Sequence, residues 1–136
     1  MPYRDDSSDW LFFAESDLRT ARVMFGEGVY HMTCFHAQQA VEKCLKAVLR
    51  HHQKMVPKTH SLAKLIHEVS PLGAPDIAND DVLFVDQFYS PTRYPDTLPG
   101  SLPDGLPTKE DAAKAVDIAE RIVAATKKLI SSNAHP

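Results

Sequence analysis

Apolar side chains recur every three or four residues along most of this 136-residue chain, and no stretch alternates apolar and polar residues with a period of two. That spacing marks one face of an α-helix. Turn and capping residues separate the periodic segments, so the sequence predicts five helices. They cover residues 7–26, 30–52, 60–70, 76–89 and 108–130. The expected fold class is therefore all-α.

Particular residues are expected to begin and end these helices. Serines at 7 and 8 offer caps for the first helix, and Gly26 suits its end. Thr59 is expected to cap the third helix. Thr108 and Asp111 resemble a capping box at the start of the fifth, with Asp in place of Glu.

The length and composition are typical of one folded domain. Hydrophobic residues make up 43% of the chain and charged residues 24%, which are ordinary globular values. We expect a single domain over 1–136, with its core at about 8–130 and a frayed tail at 131–136. The segment 90–107 holds five prolines and two glycines, so it is predicted to be a loop. Short connections elsewhere favour an antiparallel up-and-down bundle of four to five helices.

Several classes of protein are disfavoured by the sequence. No apolar run reaches the roughly 20 residues that cross a bilayer, and no signal peptide is recognisable, so a cytoplasmic location is expected. Cys34 and Cys44 would lie roughly 15 Å apart on one helix, too far for a disulfide. The seven histidines show no zinc-site spacing, and the common catalytic motifs are absent. We therefore expect no metal and no cofactor.

The segment 43–67 contains no acidic residue, although the chain has a net charge of −3. Its basic residues are Lys43, Lys46, Arg50, Lys54, Lys58 and Lys64, and four histidines lie among them. A local positive field attracts phosphates or acidic partners. The alternative is a helix face whose matching acids come from elsewhere in the fold, and the sequence leaves both interpretations open.

The second predicted helix has four distinct faces at 100° per residue. Its core face holds Tyr30, Cys34, Ala37, Val41, Leu45 and Val48, and the opposite face holds His36, Gln39, Lys43, Lys46 and Arg50. Small residues on one flank, Thr33, Ala40 and Ala47, permit close approach of another helix in the same chain or in a partner. On the other flank, Gln38 and Glu42 border the core and need hydrogen-bond partners, either on a neighbouring helix or at Lys46.

Two further residues are candidates for binding an anion. His60 opens the third predicted helix, where free N–H groups attract anions, but a lone histidine is more often structural. Arg93 lies in the proline-rich loop beside Tyr94. Arg93 either pairs with Asp96 to close a turn or binds phosphate in a bidentate manner.

Three sequence runs occur together: FHAQQAVEKCLKA at 35–47, HSL at 60–62 and RYP at 93–95. In combination they resemble the HEPN domain family (higher eukaryotes and prokaryotes nucleotide-binding), over roughly residues 8–130. The resemblance implies an antiparallel helical bundle that commonly forms a homodimer. It also implies a genomic pairing with a minimal nucleotidyltransferase, as in toxin–antitoxin modules.

Many members of this family are metal-independent ribonucleases whose motif is arginine, four to six residues, then histidine. This chain departs from that pattern, because the next histidine after Arg93 is His135 and Arg50 is followed at once by His51. Whether the chain is an enzyme is left open. A ribonuclease would need a rearranged site in which His60 and Arg93 act together.

The first functional hypothesis is a HEPN-like module that binds a nucleotide or RNA phosphate and partners a nucleotidyltransferase-like protein. Its expected ligand-binding residues are Lys43, Lys46, His60, Arg93 and Tyr94. A rearranged ribonuclease and a ligand-free scaffold are the alternatives. We also expect a homodimer, with Thr33, Ala40 and Ala47 at the interface and with apolar surface from Phe12, Phe13 and Met24.

Overall fold

The helical periodicity of the sequence corresponds to five α-helices in a computed structural model of the protein. The structure describes residues 5–74, 76–89 and 105–132, except the side chain of Ser132. The helices are α1 (Ser7–Gly26), α2 (Tyr30–His51), α3 (Leu62–Val69), α4 (Asn79–Asp86) and α5 (Lys109–Ser132). A 3-10 turn, Ser70–Leu72, continues α3. The described residues contain no β-strand. The all-α prediction is confirmed.

The three long helices form the core, and ion pairs between them demonstrate that α2 and α5 each run antiparallel to α1. Asp6, just before α1, contacts Arg50 near the end of α2, so these two helices run in opposite directions. Arg22 of α1 contacts Glu120 of α5, and Glu15 contacts Lys127, so α5 also runs opposite to α1. The short helices α3 and α4 pack against each other and against α2, and α4 also contacts α5.

Helix boundaries follow local chemistry. Gly28, with φ of 77°, takes the left-handed conformation in the short connection between α1 and α2. The predicted capping box is present, because the Asp111 carboxylate accepts from the Thr108 N–H and the Thr108 hydroxyl accepts from the Asp111 N–H, both at 3.0 Å. At α1, however, Asp6 occupies the cap position in place of the serines.

The boundaries of the two short helices differ from the prediction. The hydroxyl of Ser61, not that of Thr59, caps α3 by accepting from the Lys64 N–H at 3.2 Å. Thr59 instead accepts from the Ser61 N–H. The fourth helix is shorter than predicted because Ala78 is extended, and α4 therefore begins only at Asn79. In the predicted loop and tail, residues 90–104 and 133–136 lie outside the described residues.

The small-residue flank of α2 is part of the protein interior. Thr33, Ala40 and Ala47 are all fully buried within the single chain. Close packing on this flank is therefore made by helices of the same chain, which was one of the two predicted possibilities. The three side chains have no surface left for a partner, so their assignment to a subunit interface is corrected. No described helix is long and apolar enough to cross a membrane.

Candidate functional site

Two of the six basic residues of this segment, Lys43 and Arg50, are neutralised by acids of the first helix region. Arg50 Nε lies 2.7 Å from Asp6 Oδ1. Asp17 accepts both from Lys43 and from His36, whose Nδ1 is 3.1 Å from Asp17 Oδ1. Burial opposes ionisation of Asp17, but these hydrogen bonds outweigh it and hold the pKa of Asp17 below its usual value. At these positions, matching acids are indeed supplied by another part of the fold.

The last three basic residues of the segment face solvent. Lys54, Lys58 and Lys64 are exposed, and no described carboxylate forms an ion pair with any of them. They lie on the connection between α2 and α3 and on the first turns of α3. The solvent-facing positive charge of this segment is therefore displaced from the α2 stripe toward the start of α3.

Glu42 is the centre of a buried polar cluster. Only 3% of the residue is exposed, and Lys46 Nζ donates to its Oε2 at 3.0 Å. Nδ1 of His60 lies 3.1 Å from Oε1, and the Gln39 amide contacts the same oxygen at 3.5 Å. The Lys46 ammonium also lies 5.5 Å from the centre of the Trp10 ring. The partners that Glu42 was expected to need are Lys46 and a residue that precedes α3.

His60 is held in one orientation while its ring remains accessible. The Gln38 amide donates to the His60 carbonyl at 3.2 Å. The imidazole stacks on Tyr89 with ring centres 4.7 Å apart and planes at 12°, and Tyr89 in turn lies 6.0 Å from Phe35. The side chain of His60 is 55% exposed. An ionised carboxylate only accepts hydrogen bonds, so Nδ1 carries the proton that faces Glu42, and in the neutral imidazole Nε2 then presents the lone pair.

The N–H groups at the start of α3 are largely occupied. The Leu62 N–H donates to Asp86 Oδ1 at 2.8 Å, and the Lys64 N–H donates to the Ser61 hydroxyl. The helix end therefore has fewer free donors for an anion than the sequence suggested. Polar side chains around His60, rather than backbone groups, determine what this surface can bind.

The structure brings together some of the predicted site residues and separates others. Lys46 and His60 meet at Glu42, whereas Lys43 pairs with Asp17 about one turn earlier. Arg93 and Tyr94 lie outside the described residues.

Three residues that shape this region were not predicted from the sequence. They are Trp10 of α1, which lies beside Lys46, and two residues at or just after the end of α4: Tyr89, which stacks on His60, and Asp86, which accepts from the Leu62 N–H. The only hint in the sequence was the position of the chain's single tryptophan near the start of α1, and that position alone does not indicate which residue Trp10 contacts.

The two cysteines are buried within the described part of the chain. Burial raises the pKa of Cys34 and of Cys44 to about 12, so both are neutral thiols inside the core. Residues 5–74, 76–89 and 105–132 contain no group of three or more side chains arranged to hold a metal ion.

Comparison with known proteins identifies the class to which this helical bundle belongs. The family model of the HEPN domain matches residues 7–129, and the chain belongs to that family. The structure is similar to that of TT1696 from Thermus thermophilus, with 32% sequence identity, a TM-score of 0.75, and coverage of 92% of this chain and 98% of that one. It is also similar to ST0689, an archaeal HEPN homologue, with 31% identity, a TM-score of 0.70, and coverage of 91% and 97%. Among curated proteins no match was found.

Proposed function

We propose that this HEPN domain binds a nucleotide or another phosphate-bearing ligand at the surface around His60. The observation that carries the proposal is the exposed imidazole of His60, which is fixed by Glu42 on one edge and by Tyr89 on one face. An aromatic stack beside exposed positive charge is the combination that proteins use to bind bases and phosphates of single-stranded nucleic acids.

Each residue has a defined part in this proposal. Nε2 of His60 accepts a hydrogen bond from an N–H or O–H group of the ligand, and the exposed lysines Lys58 and Lys64, nearby in the sequence, supply positive charge for its phosphate. Lys46 acts mainly through Glu42, because its ammonium is already bonded to that carboxylate. Lys43, Arg93 and Tyr94 remain predicted ligand contacts. Lys43 would have to exchange Asp17 for a phosphate.

Isothermal calorimetry at low salt tests the proposal with ATP, GTP and a short single-stranded RNA as ligands. We expect at least one of them to bind, and His60→Ala to weaken binding by about 1–3 kcal/mol, the usual loss when a base loses a stacking or polar partner. His67→Ala is the matched control, because His67 is an exposed histidine of α3 with no described carboxylate partner. Absence of binding by all three ligands would contradict the proposal, as would equal binding by wild type and His60→Ala.

A metal-independent ribonuclease is the second candidate, and the contact between Glu42 and His60 specifically favours it. A carboxylate that holds a histidine in one tautomer is a common arrangement for general acid–base catalysis. Arg93 would then be needed to stabilise the phosphate. The purified protein should cleave single-stranded RNA without added metal and leave cyclic phosphate ends. Cleavage that persists in both His60→Ala and Arg93→Ala would exclude this site as the source.

Association with a second copy of the chain and with a nucleotidyltransferase-like protein is also proposed. Both follow from the family resemblance, and exposed apolar residues of α1 support the first of them. Co-expression of this chain with the product of a neighbouring nucleotidyltransferase gene, followed by size-exclusion chromatography, tests the second. Elution of the two proteins at their separate positions would contradict it.

A further inference from the structure

His60 differs from the other described histidines in how its two ring nitrogens are placed. Nδ1 faces the buried carboxylate of Glu42, and no described residue forms a hydrogen bond with Nε2. His36 and His51 also face carboxylates, but only 23% and 7% of their side chains are exposed. His67 is exposed but has no described carboxylate partner. Of the three described histidines whose Nδ1 faces a carboxylate, His60 has by far the most exposed side chain, at 55%, whereas Nδ1 of the part-exposed His52 faces the Val48 carbonyl.

We propose that Nε2 of His60 is a phosphoryl acceptor, which becomes covalently phosphorylated by a donor with a labile phosphorus–nitrogen or phosphorus–oxygen bond. A nucleophilic side chain is activated when a neighbouring group fixes its orientation and compensates the charge that develops on it. Glu42 does both for His60, and the stack on Tyr89 restricts rotation of the ring. The proposal depends on this geometry and not on whether the site binds a nucleotide.

The step is balanced without any proton leaving the ring. The lone pair of Nε2 forms a bond to phosphorus, and the bond between phosphorus and the leaving group breaks, with its electron pair departing on the leaving atom. With phosphoramidate as donor, the leaving group is ammonia, whose nitrogen already carries its three protons. The positive charge that develops on the imidazole is shared with Nδ1–H, which remains hydrogen-bonded to the Glu42 carboxylate. Glu42 is thus a positioning residue and not the nucleophile.

Phosphoramidate is the probe of choice because it is small and contains no nucleoside. The full-length protein is incubated with it at neutral pH, and the adducts are located by mass spectrometry under alkaline conditions, where phosphohistidine is stable. We expect His60 to be modified at Nε2 about tenfold faster than His67 in the same molecule. Since this comparison is internal to the wild-type protein, it requires no variant to fold.

A variant then tests the part played by the carboxylate. Glu42→Gln keeps the size of the side chain and an acceptor oxygen but removes the charge. We expect it to slow modification of His60 by about tenfold, because the neutral amide compensates less of the charge that develops on the ring, and to leave the rate at His67 unchanged. Equal rates at His60 and His67 in the wild type would overturn the proposal. In a folded Glu42→Gln protein, an unchanged rate at His60 would overturn it as well.

Discussion

At the scale of single residues, burial determines which ion pairs contribute to stability. The pair of Lys46 and Glu42 has side chains that are only 9% and 4% exposed, whereas Lys127 and Glu15 form a 3.6 Å pair whose side chains are 64% and 44% exposed. Removing one partner of a buried pair leaves an uncompensated charge, while an exposed pair contributes little. The two pairs therefore offer a matched comparison within one protein.

We expect Lys46→Met to lower the free energy of unfolding by about 3 kcal/mol, because Glu42 would stay buried with only the imidazole and amide contacts. Lys127→Met should change it by less than about 1 kcal/mol. Urea denaturation followed by circular dichroism measures both. Equal effects of the two substitutions would show that the Lys46–Glu42 pair is not buried in solution.

The lowered pKa of Asp17 predicts how the free energy of unfolding depends on pH. Its folded-state pKa lies below the ordinary value of 3.8, so the unfolded chain binds this proton more readily than the folded chain does. The stabilisation that ionised Asp17 provides is fully present at pH values above its ordinary pKa. It is lost as the pH falls through the lower pKa of the folded state. We expect Asp17→Asn to destabilise the protein at pH 6 and to have a smaller effect at pH 2 to 3. A loss of stability on Asp17→Asn that is the same at both pH values would contradict the lowered pKa of Asp17.

At the scale of secondary-structure elements, one carboxylate joins α4 to the start of α3. Asp86 Oδ1 accepts from the Leu62 N–H at 2.8 Å, two residues after His60. Asp86→Ala removes this acceptor and should cost about 1 kcal/mol, the usual value of a helix cap. Asp86→Asn retains an acceptor oxygen and should cost clearly less. Thermal denaturation measures the stability of both variants, and equal losses of stability in Asp86→Ala and Asp86→Asn would argue against a capping role for Asp86.

The long helices were predictable because their apolar periodicity is strong. α1 ends at Gly26 as predicted, and α2 ends within one residue of the predicted position. Short helices are less predictable, because single residues such as Ser61 and Ala78 set their boundaries. Periodicity also assigned Lys46 to a polar face of α2. It could not reveal that Lys46 is buried beside Trp10 and shares Glu42 with His60, since such contacts depend on the tertiary arrangement.

At the scale of the whole molecule, exposed aromatic rings on α1 favour self-association. Phe12 is 63% exposed and contacts Phe13, which is also exposed, in an edge-to-face arrangement. Exposed apolar clusters of this kind often form interfaces. The expected homodimer interface is therefore moved from the buried flank of α2 to the exposed rings of Phe12 and Phe13.

We expect light scattering to give a dimer mass at micromolar concentration, and the double substitution Phe12→Ser with Phe13→Ser to shift the protein toward the monomer. Met55→Ser is the control, because Met55 is 87% exposed but lies on the loop after α2. Ala40→Glu should instead unfold the chain, since Ala40 is fully buried. A monomer mass for the wild type, or a dimer that is indifferent to the double substitution, would contradict this interface.

The most direct test is the tautomeric state of His60, because the general-base role and the phosphoryl-acceptor role proposed for this residue both require a lone pair on Nε2. Long-range 1H–15N NMR correlation of the imidazole nitrogens measures it for each described histidine. We predict that, in its neutral form, His60 carries its proton on Nδ1, that His67 shows the tautomer mixture of a free imidazole, and that Glu42→Gln moves His60 toward that mixture. A proton on Nε2 of neutral His60, or a spectrum indistinguishable from that of His67, would contradict the proposed site.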